Sequence, residues 1–352
     1  MKAVVFEAYK QKPVLKDVEK PVAGPGEVVL KVAGSGACHS DVAVYDEYDL
    51  DVTFGHMTPP FILGHEVSGW IDSVGEGVTG FKEGDAYLVY GPIACGHCRY
   101  CSRGQDTYCL NFAETDCMAV GLGRDGGMAE YVAVPARNLV ALGDADPIDA
   151  APLADAGLTP YHAIKKSLPE LVGGGRTALV IGLGGLGMLG VQIIQALSSA
   201  TVLVADTKPE AVAAAEALGA VAVQGSTTEE QLAFINEYTG GVGVDAAFDF
   251  VGVAPTVALA AQSVRYDGAA TIVGIAGGAY EWNFYKQRYG ATLGSTYWGT
   301  IEDLHDVVGL YREGKITTNI ERYPLSKAEE AYRALREGTL SARAVIVPTL
   351  DE

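Results

Sequence analysis

Four of the six cysteines in this 352-residue chain lie together in the stretch CGHCRYCSRGQDTYC, which runs from residue 95 to residue 109. They follow one another at spacings of three, three and eight residues: Cys95, Cys98, Cys101 and Cys109. Thiols at such spacings serve as redox pairs, as ligands of an iron–sulfur cluster or as ligands of a zinc ion. The stretch alone does not choose among these three chemistries.

A glycine-rich stretch, GLGGLG, lies between the apolar run TALVI and the amphipathic run MLGVQIIQAL. Gly182, Gly184 and Gly187 are in the Gly-x-Gly-x-x-Gly register of a dinucleotide-binding turn. The first glycine permits a tight turn, the second admits a pyrophosphate to the helix N-terminus, and the third lets the helix lie close to the sheet. The sequence therefore predicts a dinucleotide site here, and we expect Gly185 and Leu186 to belong to it.

The predicted cofactor preference depends on Asp206, which ends the next apolar run about 20 residues further on. A carboxylate at this position accepts hydrogen bonds from the adenosine ribose hydroxyls and repels a 2′-phosphate. Asp206 therefore favours NAD over NADP. Lys208 opposes this preference, since a flexible cation nearby could accommodate the phosphate.

Charge and composition exclude some classes of partner. The chain carries 44 acidic and 25 basic residues, a formal net charge of −19, so it should repel nucleic acid and anionic membrane surfaces. This acidity fits either adaptation to salt or an ordinary acidic enzyme. Six cysteines are too few for a disulfide scaffold, and MKAVVFEAYK is typical of a first strand rather than a signal peptide, so we expect a reducing cytoplasm.

The pattern of apolar and polar residues changes part-way along the chain. Its first 150 residues contain short alternating runs such as EVVLKVAG and turns such as GEGVTG, which indicate an all-β domain. From about Pro160, apolar strand patterns alternate with helical ones, which predicts a doubly wound parallel sheet. The uncharged run from Thr177 to Ala205 is interrupted by glycines and glutamines, so we do not expect it to span a membrane.

Three more stretches complete a pattern: GACHSD (residues 36–41), GHE (64–66) and PLADAGLTPYHA (152–163). Together with the four cysteines and GLGGLG, they follow an order over essentially the whole chain that resembles the zinc-dependent medium-chain alcohol dehydrogenases, most closely their bacterial secondary-alcohol branch. The resemblance implies an α/β plus β fold, with a GroES-like β-rich catalytic domain at 1–156, a Rossmann coenzyme domain at 157–297 and a segment at 298–352 that returns to the catalytic domain.

The same resemblance implies two zinc ions per chain besides NAD. The four-cysteine lobe would hold a structural zinc, which agrees with the closed tetrahedral shell that four thiolates form, and His97 inside the lobe would be a bystander. The catalytic zinc would be held by Cys38, His65 and Asp155. Many relatives carry a second cysteine in place of this aspartate. Without the resemblance, Asp155 would be interpreted as a helix N-cap.

Further roles near the catalytic zinc follow from the family pattern. Ser40 would accept the proton of the substrate hydroxyl and pass it to the cofactor ribose, unless it only satisfies a local amide. His39 would contact the pyrophosphate or assist proton transfer, and Asp41 would accept the remaining N–H of His65. Better-known relatives finish the proton relay with a histidine where this chain has Ala43, so the exit route of the proton stays open.

The remaining candidate site residues are neither proposed permanent zinc ligands nor part of the expected proton relay. Glu66 would be a transient ligand, a neighbour of the ligands or half of a salt bridge. The nicotinamide ring would be supported by Val273, Gly274 and Ile275. The candidate walls of an apolar substrate pocket are Tyr90, Tyr297 and Trp298, although Trp298 suits a core position equally well. His56 is interpreted as a surface-loop histidine or a residue of the substrate entrance, and Cys117 as a small buried side chain.

These inferences predict a cytoplasmic, zinc-dependent, NAD-dependent oxidoreductase that forms a homotetramer or dimer. It would transfer hydride reversibly between NAD and a small alcohol or carbonyl compound, with secondary alcohols and ketones favoured over primary alcohols and aldehydes. One alternative is a polyol or sugar dehydrogenase on the same scaffold, which would need a polar pocket. The other is a non-catalytic NAD-binding relative. The sequence excludes nucleic acid and membrane partners.

Overall fold

The computed structural model describes residues 1–46, 57–115 and 118–351. The chain divides into two compact units. The first unit comprises Met1–Asp155, Thr300–Arg312 and Thr318–Glu352, and the second comprises Ala156–Gly299 and Glu313–Thr317. The expected boundaries, after residues 156 and 297, differ from this division by one or two residues, and the expectation did not include the return of 313–317 to the second unit.

The first unit is built mainly from antiparallel strands. Its strands before residue 155 are β1 (Lys2–Phe6), β2 (Val14–Asp17), β3 (Glu27–Gly36), β4 (Phe61–Ile62), β5 (Glu66–Val74), β6 (Ala86–Val89), β7 (Ala119–Val120), β8 (Gly123–Arg124), β9 (Tyr131–Pro135) and β10 (Leu139–Ala141). Its helices in this range are α1 (His39–Asp46) and α2 (Pro147–Ala150), and short 3₁₀ turns lie at Cys101–Arg103, Asp106–Tyr108, Phe112–Glu114, Ala136–Asn138 and Ala151–Ala154.

The second unit alternates helix and strand. Its elements are α3 (Leu158–Leu171), β11 (Thr177–Ile181), α4 (Gly185–Leu197), β12 (Thr201–Ala205), α5 (Pro209–Ala217), β13 (Val221–Ala222), α6 (Thr228–Tyr238), β14 (Val244–Asp249), α7 (Ala254–Ser263), β15 (Val264–Ile272) and β16 (Thr292–Ser295). The strands form one parallel sheet in the order β13-β12-β11-β14-β15-β16. This is the doubly wound order, in which the direction of winding reverses between β11 and β14.

The C-terminal segment supplies α8 (Ile301–Arg312), β17 (Ile320–Pro324), α9 (Ala328–Glu337) and β18 (Arg343–Val347), with 3₁₀ turns at Leu325–Lys327 and Pro348–Asp351. Strand β18 pairs antiparallel with β3 and parallel with β17. Within the described ranges, this extends the main sheet of the first unit to the order β10-β6-β5-β3-β18-β17, with β9 also paired to β3. The tail therefore completes the sheet that begins at residue 27.

Each unit has a core that follows from its strand pattern. In the first, Val28, Leu30 and Val32 alternate along β3 and pack with Ile71 and Val132. In the second, every residue of β14 is buried, as expected for a central parallel strand covered on both faces. The predicted combination of a β-rich domain and a Rossmann domain is confirmed. Within the part of the chain that the structure describes, no helix has both the length and the apolarity needed to cross a bilayer.

Candidate functional site: two metal-ligand clusters and a nucleotide turn

The four cysteines of the lobe converge. Their sulfur atoms all lie within 4.8 Å of one another, with the Cys98 and Cys101 sulfurs 3.4 Å apart and those of Cys95 and Cys101 3.8 Å apart. Backbone N–H groups point at the cluster: hydrogen bonds from the amides of Cys101 and Leu110 lower the pKa of Cys98 to about 6. Sulfurs at these distances, surrounded by N–H donors that stabilise thiolates, fit a tetrahedral metal ion with no exchangeable position.

The lobe is anchored by an ion pair. Arg137 donates to both carboxylate oxygens of Asp106 at 3.0 Å, and Asp106 is buried. His97 is exposed, and its ring nitrogens contact the carbonyl of Cys95 and the side-chain amide of Asn111. The imidazole therefore lies outside the four-sulfur cluster, in keeping with the expected bystander.

A second cluster joins Cys38, His65 and Asp155. Cys38 follows β3 and His65 precedes β5, and because Gly36 of β3 lies opposite Glu66 of β5 in the antiparallel register, the two ligands emerge at the same end of the sheet. Asp155 follows the 3₁₀ turn Ala151–Ala154. The pairing of β3 with β5 thus brings Cys38 and His65 together, and the 3₁₀ turn adds Asp155, which lies 117 positions after Cys38 in the chain.

The spacing of the three side chains suits one zinc ion. The Oδ2 atom of Asp155 lies 3.6 Å from the Cys38 sulfur and 3.7 Å from Nε2 of His65. Bond lengths of about 2.0 to 2.3 Å and tetrahedral angles require ligand atoms about 3.3 to 3.8 Å apart. Asp155 is not the N-cap residue of the following helix, since Gly157 holds that position in α3. The N-cap interpretation of Asp155 is wrong for this chain.

Asp41 orients two members of this cluster. Its Oδ1 lies 3.0 Å from Nδ1 of His65, and its Oδ2 accepts the backbone N–H of Cys38 at 3.0 Å. Burial by itself would lower the pKa of His65, but the Asp41 charge and bonds to Asp155, Asp41 and Cys38 raise it well above its ordinary value. The electrostatic potential around Cys38, His65 and Asp155 is therefore strongly negative, which favours a bound cation.

Ser40 borders the same cluster. Its Oγ lies 3.3 Å from Nε2 of His65, and the side chain is half-buried at the start of α1. His39 is exposed at the first position of that helix, and Ala43 is buried further along it. The hydroxyl of Ser40 therefore lies beside a ligand atom of the cluster, while the neighbouring His39 is exposed.

The glycine turn in the second unit has the expected geometry. Gly182 has a φ of +85°, and a Cβ at Gly187 would lie 1.8 Å from the carbonyl oxygen of Gly182, so helix and turn meet at a distance that only glycine permits. Gly184 is the N-cap of α4, and the first backbone N–H groups of a helix are a favourable binding site for an anion. Asp206, half-buried after β12, accepts hydrogen bonds from the backbone N–H groups of Leu183 and Lys208.

Comparison with known proteins identifies this architecture. A family model described as alcohol dehydrogenase GroES-like domain matches residues 24–144, and one described as zinc-binding dehydrogenase matches residues 185–312. The chain belongs to the zinc-dependent medium-chain alcohol dehydrogenase family. The predicted family and enzyme class are confirmed: the protein is an alcohol dehydrogenase that performs NAD-linked alcohol oxidoreduction and uses zinc.

Three similar proteins illustrate the range of this family. An NADP-linked D-arabinose 1-dehydrogenase from Saccharolobus solfataricus is 33% identical over 99% of this chain and 97% of its own. An NAD-dependent alcohol dehydrogenase from Sulfolobus acidocaldarius is 32% identical over 99% and 100%. The structure of acetophenone reductase from Geotrichum candidum in complex with NAD is 31% identical, with a TM-score of 0.85 over 100% of this chain and 98% of that one.

This alcohol dehydrogenase also contains an ion pair beside the ligands, and sequence reasoning missed one of its two members, Arg343. Glu66 is fully buried and Arg343, on β18, pairs with both of its carboxylate oxygens, with Arg343 Nε donating to Oε2 at 3.1 Å. Burial raises the pKa of Glu66 in spite of Arg343. Of the roles considered for Glu66, the structure shows the salt bridge. No local motif marks Arg343, because only the pairing of β18 with β3 brings it here.

The residues expected to support the nicotinamide lie in the loop after β15. The backbone N–H groups of Val273 and Gly274 bond to the carbonyl of Asp249 at 2.8 and 3.0 Å, and Ile275 is exposed. Asp249 is a second residue that the sequence did not single out, since VDAAFDFVG predicts only a strand.

Tyr90 lies in the first unit and is fully buried, with its ring in the core, and burial raises its pKa. In the second unit, Tyr297 is 36% exposed and packs edge-on against buried Trp298, their ring centroids 5.7 Å apart. His56 and Cys117 lie outside the described residues.

Proposed function

We propose that this alcohol dehydrogenase transfers hydride reversibly between NAD and a small secondary alcohol or its ketone at a zinc ion held by Cys38, His65 and Asp155. The observation that carries the proposal is the convergence of these three ligand atoms within 4.8 Å. Three protein ligands leave the fourth tetrahedral position open, and an open position is what separates a catalytic zinc from a structural one.

Bound at these sites, zinc would supply a Lewis acid that lowers the pKa of the substrate hydroxyl, and NAD would supply the hydride acceptor. The residues of the chain do the rest. Asp41 holds the imidazole of His65 in the tautomer whose Nε2 faces the cluster. Ser40 Oγ, 3.3 Å from that nitrogen, is placed to take up the hydroxyl proton of the substrate. The role of His39 in handling the proton or the pyrophosphate belongs to the same proposal.

A second zinc, held by Cys95, Cys98, Cys101 and Cys109, is proposed to be structural. The four-sulfur arrangement supports this, because it leaves no room for substrate or water. Metal analysis of the purified wild-type protein should find two zinc ions per chain. The Asp155→Ala variant should contain one. One zinc in the wild type would contradict the proposed stoichiometry.

The proposed cofactor preference rests on Asp206, whose two bonds to backbone N–H groups fix its carboxylate beside the glycine turn. A fixed negative charge there disfavours a 2′-phosphate. The NAD complex of acetophenone reductase supports this preference, whereas the NADP-linked D-arabinose dehydrogenase opposes it. The proposed contacts to the dinucleotide come from Gly182, Gly184, Gly185, Leu186, Gly187, Asp206, Val273, Gly274 and Ile275.

A second candidate substrate class is supported by one observation. The D-arabinose 1-dehydrogenase is 33% identical, so a sugar or polyol dehydrogenase on this scaffold is the alternative. The sequence-based expectation that Tyr297 and Trp298 form walls of the substrate pocket favours apolar substrates instead. Steady-state kinetics with 2-propanol, 2-butanol and acetophenone against sorbitol, glucose and D-arabinose, each with both nicotinamide cofactors, separates the two. A kcat/KM higher for a sugar would overturn the secondary-alcohol proposal.

The assembly and location are also proposals. The exposed edge strand β16 and exposed aromatic residues beside it, including Phe284, Tyr285 and Tyr289, support a homodimer or homotetramer, since natural sheets seldom leave such an edge uncovered. Sedimentation of the purified protein tests this. The described cysteines form no disulfide, and their grouping as metal ligands supports a reducing compartment such as the cytoplasm.

A further inference from the structure

Strand β14 carries a carboxylate at each end, and the two lie in different surroundings. Asp245, near its start, pairs with Arg176 at 2.9 Å and with Arg265 at 2.7 Å. Asp249, at its end, is completely buried and forms no ion pair with any residue that the structure describes. Burial raises the pKa of Asp249. Burying a carboxylate without a counter-charge opposes folding unless hydrogen-bond donors compensate for the lost hydration.

Asp249 instead binds the loop that follows it. Its Oδ1 accepts the backbone N–H groups of Val251 at 2.9 Å and Gly252 at 3.0 Å, and its Oδ2 accepts the hydroxyl of Thr256 at 2.8 Å. These three donors use both oxygens of the carboxylate. The loop between β14 and α7 is therefore held by one side chain.

The main chain of the same residue binds a second loop. The Asp249 carbonyl accepts the N–H groups of Val273 and Gly274, which follow β15. The two loops are in close contact, since a Cβ at Gly252 would lie 2.2 Å from the carbonyl oxygen of Gly274. Asp249 thus joins the loop after β14 to the loop proposed to support the nicotinamide.

The first of these loops also supports the glycine turn. The backbone N–H of Phe250 bonds to the carbonyl of Ile181 at 2.9 Å. A Cβ at Gly182 would lie 2.5 Å from the Val251 side chain, and one at Gly190 would lie 3.1 Å from the Phe250 ring. The loop that Asp249 binds therefore packs against the glycine turn and the first part of α4. This contact lies between β11 and β14, where the winding of the sheet reverses and dinucleotides bind in such folds.

We propose that Asp249 is a positioning residue for the dinucleotide, which sets the relative placement of the glycine turn and the 273–275 segment by holding the loop between them. The inference rests on the proposed NAD site. Without the carboxylate, the N–H groups of Val251 and Gly252 lose their acceptor and the Thr256 hydroxyl keeps only the Val253 carbonyl, so the loop no longer presses Val251 against Gly182. The glycine turn and the 273–275 segment would then no longer be held at the spacing that NAD requires. Part of the binding free energy would be spent on restoring this spacing, which weakens the affinity for NAD.

The experiment compares three variants of the full-length protein: Asp249→Ala, Asp249→Asn and Asp245→Ala. Dissociation constants for NAD and NADH are measured by calorimetry, together with the Tm and zinc content of each variant. Asp249→Ala should weaken NAD binding by about tenfold or more, with KM for NAD rising far more than kcat falls. Asp249→Asn keeps an oxygen for the two N–H groups and should recover most of the affinity, to within about threefold of wild type.

Asp245→Ala is the matched control, because it removes a buried carboxylate from the other end of the same strand. It should lower Tm, since Arg176 loses its partner and Arg265 keeps only Glu170, and leave the dissociation constant for NAD within about twofold of wild type. If Asp245→Ala weakens NAD binding as much as Asp249→Ala, or if Asp249→Ala binds NAD like wild type, the positioning role is wrong. If the wild type itself binds neither nicotinamide cofactor, the proposed function fails instead.

Discussion

The imidazole Nδ1 of His65 lies 3.0 Å from Oδ1 of Asp41, and both side chains are buried. The second oxygen of the same carboxylate accepts the backbone N–H of Cys38. One aspartate therefore orients the side chain of one proposed zinc ligand and the main chain of another. The nitrogen left to face Asp155 is Nε2, which is the arrangement that a zinc-binding histidine with an acidic partner adopts.

Replacing Asp41 should weaken the proposed catalytic zinc selectively. In Asp41→Ala, the His65 ring loses its acceptor, so zinc affinity at this site should fall by about 10- to 100-fold. Competition with a chelator measures the affinity, and metal content should fall from two zinc ions toward one. Asp41→Asn retains an oxygen that can accept from His65, so its zinc affinity should lie between those of the wild type and Asp41→Ala. Unchanged zinc retention in Asp41→Ala would show that the contact does not orient the ligand.

Asp155→Ala should abolish turnover and leave the fold intact. The carboxylate is one of three proposed ligands, and Asp155 follows a 3₁₀ turn outside the strands and helices of the first unit, so its loss removes a ligand without removing an element of the fold. We expect kcat/KM to fall by a factor of about 1,000 or more while circular dichroism and Tm stay close to wild type. Asp155→Cys, which restores the ligand of many relatives, is the control and should regain zinc. Wild-type kinetics in Asp155→Ala would remove it from the ligand set.

Cys101→Ser should act on stability first. Cys101 is the buried member of the four-sulfur cluster, and a hydroxyl is a poor substitute for a thiolate on zinc. Its loss should lower Tm by about 5 °C or more and release one zinc ion. Below the new Tm, kcat per catalytic zinc should remain near wild type. Equal loss of folding in Cys101→Ser and Asp155→Ala would contradict the separate roles proposed for the two clusters.

Asp206→Asn tests the charge of the carboxylate apart from its hydrogen bonds. The amide keeps an oxygen for the Leu183 N–H but removes the negative charge that repels a 2′-phosphate. The ratio of kcat/KM for NAD to that for NADP should fall by about tenfold. Asp206→Gly should erode the preference too and should also raise KM for both cofactors, because the turn loses its anchor. A wild-type preference for NADP would overturn the assignment.

Ser40→Ala should slow proton removal without loss of metal. The hydroxyl faces the ligand cluster from α1. Its loss should reduce kcat by about 100- to 10,000-fold and shift the pH profile of kcat, while zinc content and Tm stay unchanged. Ser40→Thr, which keeps a hydroxyl, should retain more activity than Ser40→Ala. Equal activity in Ser40→Ala and wild type would leave Ser40 as a residue that only satisfies the local backbone.

Some features of this protein were predictable because they depend on residues close together in the chain. The GLGGLG turn, its preceding strand and its following helix are local, so the Gly182 turn and the order of the second unit followed from pattern. The four cysteines between residues 95 and 109 are equally local. The grouping of Cys38, His65 and Asp155 came from resemblance to a family, since spacing alone favoured a helix cap for Asp155.

Tertiary structure decided what sequence spacing could not. Arg343 reaches Glu66 only because β18 pairs with β3, and that pairing joins segments about 300 residues apart in the chain. The carbonyl of Asp249 binds Val273 and Gly274 only when the loops after β14 and β15 lie side by side. Local sequence determines which elements form, because backbone turns and apolar periodicity act over a few residues. Which side chains share a site depends on strand pairing between distant segments, and that pairing exists only once the chain has folded.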